Sequence, residues 1–297
     1  MSTQVLAKHG VTFNFAGRFL SRDQLLDAAK LYALCRQVDD IADESNDASL
    51  ARSQLQAVHE AITSAAEIPY LNDNPKLVLS KEALPPFEHL LEGAIQDTLP
   101  VSVQTITELI DYCYKVAGSV GLMMCDVLNV DDKRAFPYAV ALGIAMQLTN
   151  ICRDVIEDAN NKRVYLPKEL IGNVSCEQVI NPDETLKLVL QEAVSELLEI
   201  AEHHYRYAYE GLVFLPLRAR VAILVAGQAY REIGKKLKRT NRLDLWDGRV
   251  TTSRIEKILV ASSSLIKFGV SKGFYQYYPK KQPSVLMRCI SHYWQDL

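Results

Sequence analysis

YALCRQVDDIAD at residues 32–43 and QLTNICRDVIED at residues 147–158 each thread a polar stripe through apolar sequence. In the first, Tyr32, Arg36, Asp39 and Asp43 recur at i, i+4, i+7 and i+11. In the second, Gln147, Asn150, Asp154 and Asp158 recur at i, i+3, i+7 and i+11. Both series trace one face of an α-helix. The positions between them are largely apolar: Leu31, Ala33, Leu34, Val38, Ile41 and Ala42 in one, Ile144, Ala145, Leu148, Ile151 and Val155 in the other. Helices of this composition are buried around most of their circumference, so the acids look into a space rather than over a solvated strut.

The same periodicity extends outward along the chain. Apolar spacing of 3.6 predicts helices over about 22–46, 50–66, 84–96, 102–128, 133–160, 184–212, 217–239 and 251–269, and no alternating strand pattern competes. Breaks are expected at Asp73-Asn74-Pro75, Leu99-Pro100, Asn173 and Asn181-Pro182, while Pro85 and Pro216 suit first turns of helices. The fold class is therefore all-α. A chain of 297 residues that is 48% hydrophobic can bury a sizeable core, and no linker or low-complexity tract divides it, so one domain over residues 1–297 is expected.

A net charge of -3 and a pI near 6.1 leave no overall basic field for nucleic acid, so an anionic substrate has to be met locally by Arg, Lys or metal. The six cysteines form no CxxC pair, and most lie in apolar helical stretches, as reduced core thiols do. The N-terminus lacks the pattern of a secretory signal, and no run of about 18 uninterrupted apolar residues marks a membrane span. A cytoplasmic location follows as the expectation. The C-terminal tail interleaves Lys267, Lys272, Lys280, Lys281 and Arg288 with Phe268, Phe274, Tyr275, Tyr277, Tyr278, Tyr293 and Trp294. Such a segment either packs its aromatics inward or makes a peripheral contact with an anionic bilayer.

Carboxylates four residues apart on a helix have Cβ atoms about 5–6 Å apart and repel unless a cation lies between them. One DxxxD is weak evidence of a metal site, since solvated helix faces carry it often. Two of them, with Asn150 adding a neutral oxygen a turn before Asp154, form a donor set suited to Mg²⁺ shared with phosphate oxygens. Arg36, Arg153, Lys162, Arg163 and Tyr165 lie beside the acids, either to pair with them or to grip diphosphate through charge-assisted hydrogen bonds. Between the stripes runs YCYKVAGSVG at 112–121, in which Gly118 and Gly121 sit in helical context. Its spacing does not match a nucleotide-binding loop, and glycines there imply close approach by another backbone or by a ligand.

Taken together, Thr12-Phe13, YALCRQVDDIAD, YCYKVAGSVG, QLTNICRDVIED and RVYLP at 163–167 resemble the head-to-head prenyl synthases, the family of phytoene, squalene and dehydrosqualene synthases, over most of the chain. The resemblance implies an isoprenoid-synthase-like helical bundle with a central cavity. It also implies a Mg²⁺-dependent prenyltransferase, with two or three ions bridging diphosphate and held by Asp39, Asp43, Asn150 and Asp154, while Asp158 completes the second acidic motif. His9, Thr12, Tyr32, Arg36, Gln147, Arg153, Tyr230 and Arg249 are implied as substrate contacts, and Tyr112 and Tyr165 as residues of the reaction centre. Two positions depart from the family pattern: Thr12 stands where Ser is common, and Lys162 where Gly often precedes the Arg of RVYLP.

The implied reaction joins two geranylgeranyl diphosphates through a cyclopropylcarbinyl diphosphate to phytoene, without NADPH. Gly17 and Ala29, which the resemblance places at the deep end of the tunnel, leave room for the longer tail. The alternatives are a squalene or dehydrosqualene synthase using farnesyl diphosphate, and a non-catalytic assembly factor on the same fold. Loss of the acids would be the expected mark of the latter, and here both pairs are intact. Oligomeric state is not legible in the sequence.

Overall fold

The computed structural model describes residues 10–44, 47–63, 80, 82–130, 132–239, 245–248, 250–251, 253–276, 284–295 and 297, and every regular element among them is helical. In chain order these are α1 Val11–Gly17, α2 Arg22–Glu44, α3 Ala48–Thr63, α4 Leu84–Asp97, α5 Ile106–Cys113, a π-helical turn Tyr114–Gly118, α6 Ser119–Val127 and a 3₁₀ turn Lys133–Ala135. Then follow α7 Phe136–Asn160, α8 Lys168–Ile171, α9 Cys176–Ile180, α10 Glu184–Ala208, a 3₁₀ turn Tyr209–Phe214 and α11 Leu217–Arg239. The last are α12 Arg254–Gly269, α13 Lys272–Tyr275, α14 Val285–Cys289 and α15 His292–Gln295.

Local chemistry sets the ends of these helices. Asp183 Oδ1 accepts the amide of Leu186 at 2.7 Å to start α10, Thr105 Oγ1 accepts that of Glu108 to start α5, and Ser253 with Glu256 forms a reciprocal capping box at α12. Each such cap contributes about 1 kcal/mol. At the far end of α7, Lys162 takes φ 63°, the left-handed region in which an L side chain is strained. A glycine would relax there, which accounts for the residue commonly found at that place in the prenyl synthase pattern.

The central element is α7, packed against α6, α9, α10 and α11. By length and composition the stretch Lys133–Asn160 could cross a membrane, yet more than half of its apolar window is buried by neighbouring helices, as in the core helix of a bundle. Ile144, Leu148 and Ile151 lock against Leu190, Val194 and Leu197 of α10 within one cluster, each such side chain contributing about 1.5–3 kcal/mol on burial. On the opposite side α2, α4 and α6 share a second cluster through Leu31, Leu34, Val38, Leu91 and Met123.

Glycine lets these layers meet. A Cβ on Gly121 would lie 2.5 Å from the Ala139 carbonyl oxygen, and one on Gly143 would lie 2.7 Å from the Ala117 carbonyl carbon. Backbone approach between helices is therefore the reason for Gly121, and it recurs at Gly143. The six cysteines are free; Cys113, Cys125 and Cys152 are buried, and burial pushes the Cys125 thiol up to about 12. In the tail, Phe274 and Trp294 are buried and Tyr293 stacks on Tyr114, so these aromatics pack inward, while Tyr277, Tyr278, Lys280 and Lys281 lie outside the described residues.

Candidate active site

The helices enclose a cavity of about 310 Å³. Its walls are Phe13, Ala16 and Gly17 of α1; Leu31, Tyr32 and Cys35 of α2; Val116, Val120 and Met124 around the π-turn; Leu142, Met146, Gln147 and Asn150 of α7; and Ala226 and Tyr230 of α11. Almost all are apolar. The polar groups come from the C-terminal stretches of the lining segments, where Phe13 brings α1 against Tyr32 and Tyr230, its ring 6.1 Å and 5.5 Å from theirs. Burial pushes the Tyr32 hydroxyl up to about 12, with Tyr230 adding to the rise, so Tyr32 is a neutral hydrogen-bond donor at physiological pH.

Beyond this polar end the two stripes diverge in character. Asp39 is exposed and Asp154 largely buried, at 13% side-chain exposure. Asp43 lies on the last turn of α2, but its side chain is outside the description. Arg153 forks onto Asp154, Nε donating to Oδ1 at 2.7 Å and Nη2 to Oδ2. Burial pulls this guanidinium down, and the Asp154 hydrogen bonds and charge more than offset it. Arg36 pairs at 2.6 Å with Asp40, one residue beyond the Asp39 of the stripe, because i, i+4 neighbours stack on the helix surface.

Asp158 carries the clearest electrostatic signature. Burial, then the charges of Asp154 and Glu157, raise its carboxyl from 3.8 to about 7. Asn150 turns its amide toward Gln147, Nδ2 donating to Oε1 at 3.3 Å, and leaves Oδ1 buried with no hydrogen-bond partner. An orphaned carbonyl oxygen beside crowded carboxylates is a donor set short of a cation, so the residues fit Mg²⁺. Among the described residues no three His, Cys, Asp or Glu side chains close a cage by themselves.

Tyr112 and Tyr165 are brought together, rings stacked at 5.0 Å, but they do not border the cavity. Both donate to one carboxylate, Tyr112 to Asp97 Oδ2 and Tyr165 to Asp97 Oδ1, each at 2.9 Å, while Arg163 Nη2 donates to the Asp97 carbonyl at 3.3 Å. Burial first and Asp97 second push both phenols well up. Asp97 was not legible as a site residue: it ends α4 far from either stripe, and LLEGAIQD reads as an ordinary amphipathic turn.

Other expectations divide. Gln147, Asn150, Tyr32 and Tyr230 line the cavity and Thr12 is half-buried on α1, whereas His9 and Arg249 lie outside the described residues. Gly17 faces the cavity. Ala29 does not: it is fully buried between helices, and Ala28, rotated by 100° on the same helix, takes the lining position.

A sequence profile of the Squalene/phytoene synthase family matches residues 6–256. The chain belongs to this family. It is 34% identical over 267 residues to a 15-cis-phytoene synthase of Enterobacter agglomerans, covering 82% of this chain and 90% of that one. With a 15-cis-phytoene synthase of Pantoea ananas it shares 31% over 290 residues, covering 89% and 93%. Its fold is similar to that of a crystallised dehydrosqualene synthase in complex with ligand, with a TM-score of 0.74 at 27% identity, over 91% of this chain and 96% of that chain. A squalene synthase, HpnC from Alicyclobacillus acidocaldarius, shares the fold at a TM-score of 0.66 and 19% identity, over 80% and 93%.

Proposed function

We propose that this family member is a phytoene synthase, acting as one catalytic unit over residues 1–297 on two geranylgeranyl diphosphates in the cytoplasm. The observation that carries the reading is the apolar cavity whose polar end holds Tyr32, Gln147, Asn150 and Tyr230, with Asp154 and Asp158 following at the same helical phase on α7 and Arg153 forked onto Asp154.

Asp39, Asp43, Asn150 and Asp154 would hold Mg²⁺, two or three ions when the diphosphates are present. Bound there, the metal supplies positive charge against the leaving diphosphate oxygens. Arg36 and Arg153 offer planar guanidinium forks to those oxygens, and Tyr32 and Tyr230 donate hydroxyl hydrogens at the cavity mouth. His9, Thr12 and Arg249 complete the substrate contacts. Loss of the first diphosphate leaves an allylic cation, which the double bond of the second substrate attacks, and loss of a proton then closes the three-membered ring of a cyclopropylcarbinyl diphosphate. Ionisation of that intermediate, rearrangement and loss of one proton yield a linear polyene, with two diphosphates released and no reductant consumed. Apolar walls keep water from quenching the cations. Tyr112 and Tyr165, fixed on Asp97 next to Asp158, present a neutral hydroxyl pair at the acidic end of the reaction centre.

Gly17 sets the room for the tail, since even one added carbon there would lie 2.7 Å from Leu25 Cδ1. A C40 hydrocarbon also has to leave toward lipid, which gives the protein reason to touch a bilayer from the cytoplasmic side. Mass identification of the hydrocarbon made from geranylgeranyl and from farnesyl diphosphate, with and without NADPH, tests the reading. A C40 phytoene independent of NADPH supports it, and a C30 product assigns the chain to the squalene-type branch. A folded Asp39→Ala/Asp154→Ala variant should release no diphosphate above background; unchanged release refutes the assigned site.

A further inference from the structure

One helix of this bundle is turned against the usual pattern. On α12 the buried positions are Lys257, Ala261 and Ser264, whereas Ile255, Ile258, Leu259 and Ile266 are 71%, 53%, 62% and 72% exposed. Val270, one residue past the helix end, is 83% exposed. Positions 255, 258, 259, 266 and 270 fall within one face at 100° per residue, so these aliphatics share a side of the helix over four turns, interrupted at its middle by the exposed Ser262. The opposite face is fully engaged: Ala261 packs with Ala16, Val225 and Ala226, and both Ala16 and Ala226 line the cavity. The stripe therefore lies one helix layer away from the reaction chamber.

Charge selects the partner. Residues 254–297 carry seven Lys or Arg against two Asp or Glu, in a chain whose net charge is -3, and six remain when the buried Lys257 is set aside. One of the two acids, Glu256, is already paired with Lys236 at 2.5 Å, and Lys267 is exposed beside the last turn of the stripe. A second copy of the chain, docked through the same face, would set these cationic segments against each other. An anionic surface with an apolar interior answers both features at once.

We infer that the outward face of α12 seats this protein on anionic bilayers, the helix lying in the interface plane with Ile255, Ile258, Leu259 and Ile266 entering the acyl boundary. The aliphatic stripe of α12 makes the contact, not the aromatic tail residues that pack inward. This extends the proposed membrane contact but does not depend on the identity of the product.

Flotation of the full chain with vesicles, in the absence of prenyl diphosphate, tests the inference. Partitioning onto phosphatidylcholine containing about 30% phosphatidylglycerol should exceed that onto phosphatidylcholine alone by about tenfold and fall on raising salt to about 0.5 M. The Ile258→Gln/Ile266→Gln variant should lose at least about tenfold of that partitioning, with an unchanged melting temperature and unchanged diphosphate release in detergent. Equal partitioning of variant and wild type overturns the inference. So does a wild type that ignores anionic vesicles, or one that is a dimer by light scattering where the variant is a monomer, which assigns the face to a second copy. A C30 rather than C40 product leaves the vesicle result untouched, so the two readings fail separately.

Discussion

Replacing Asp158 with Asn should make the metal-free protein more stable and the enzyme less active. Well below pH 3.8 the carboxyl keeps its proton in folded and unfolded chains alike and costs nothing. As pH rises from 3.8 to about 7 the unfolded chain releases that proton freely while the folded one resists, so stability is lost across this window and the full cost stands above it. At about 1.36 kcal/mol per pH unit, a rise from 3.8 to about 7 caps the cost near 4 kcal/mol. Solvent screening of a carboxyl that is only partly enclosed brings the working figure to about 2 kcal/mol. For a chain of this size that is roughly 4–8 °C in melting temperature. Thermal unfolding in EDTA should therefore show Asp158→Asn above wild type by that margin at pH 8, by a smaller one at pH 5, and by almost nothing at pH 3. Mg²⁺ with inorganic diphosphate should then raise the wild type more than the variant. An equal gain at all three pH values, or a loss at pH 8, refutes the claim that Asp158 is a crowded, uncompensated acid.

Asp97→Ala removes the acceptor of two buried phenols and should cost about 2–6 kcal/mol, at about 1–3 kcal/mol for each orphaned hydroxyl, with Asp97→Asn intermediate by chemical denaturation. The same series should lower kcat more than KM if the tyrosine pair serves the reaction. Gly143→Ala drives a Cβ into the Ala117 carbonyl and should destabilise by about 1–3 kcal/mol, an unchanged denaturation midpoint counting against the close helix crossing. Lys162→Gly should raise stability by about 0.5–1 kcal/mol by relieving the left-handed backbone, and an unchanged melting temperature counts against strain at that turn. Gly17→Phe should shift preference toward shorter diphosphates on a substrate panel, and unchanged preference removes Gly17 from the tail pocket.

The long helices were legible because each repeats its apolar spacing over several turns: α11 spans Leu217–Arg239 as the periodicity requires, and α2 and α4 agree within two residues. The stretch expected as one helix over 102–128 is instead α5, a π-turn and α6, since one inserted residue leaves the apolar period too little changed to notice. Short helices such as α1, α8 and α9 span two turns or fewer and rest on tertiary contacts, so no period announced them. Around the cavity, the stripes located Tyr32 on α2 and Gln147 and Asn150 on α7 because helical phase alone picks the inward face of each helix. Phase could not reveal that Arg36 prefers Asp40, that Ala28 rather than Ala29 meets the cavity, or that Asp97 holds two distant tyrosines, because those depend on how separate helices are set against each other.

Tyr293 lies 4.1 Å from Tyr114 ring to ring and donates to Asp111 Oδ1 at 2.8 Å, while Lys133 donates to the Leu297 carbonyl. Tyr293 thus clamps the outer side of the junction between α5, which carries Tyr112, and the π-turn. A substitution that loosens this clamp, such as Tyr293→Ala, therefore acts from outside on the cavity wall that Val116 and Ala117 form.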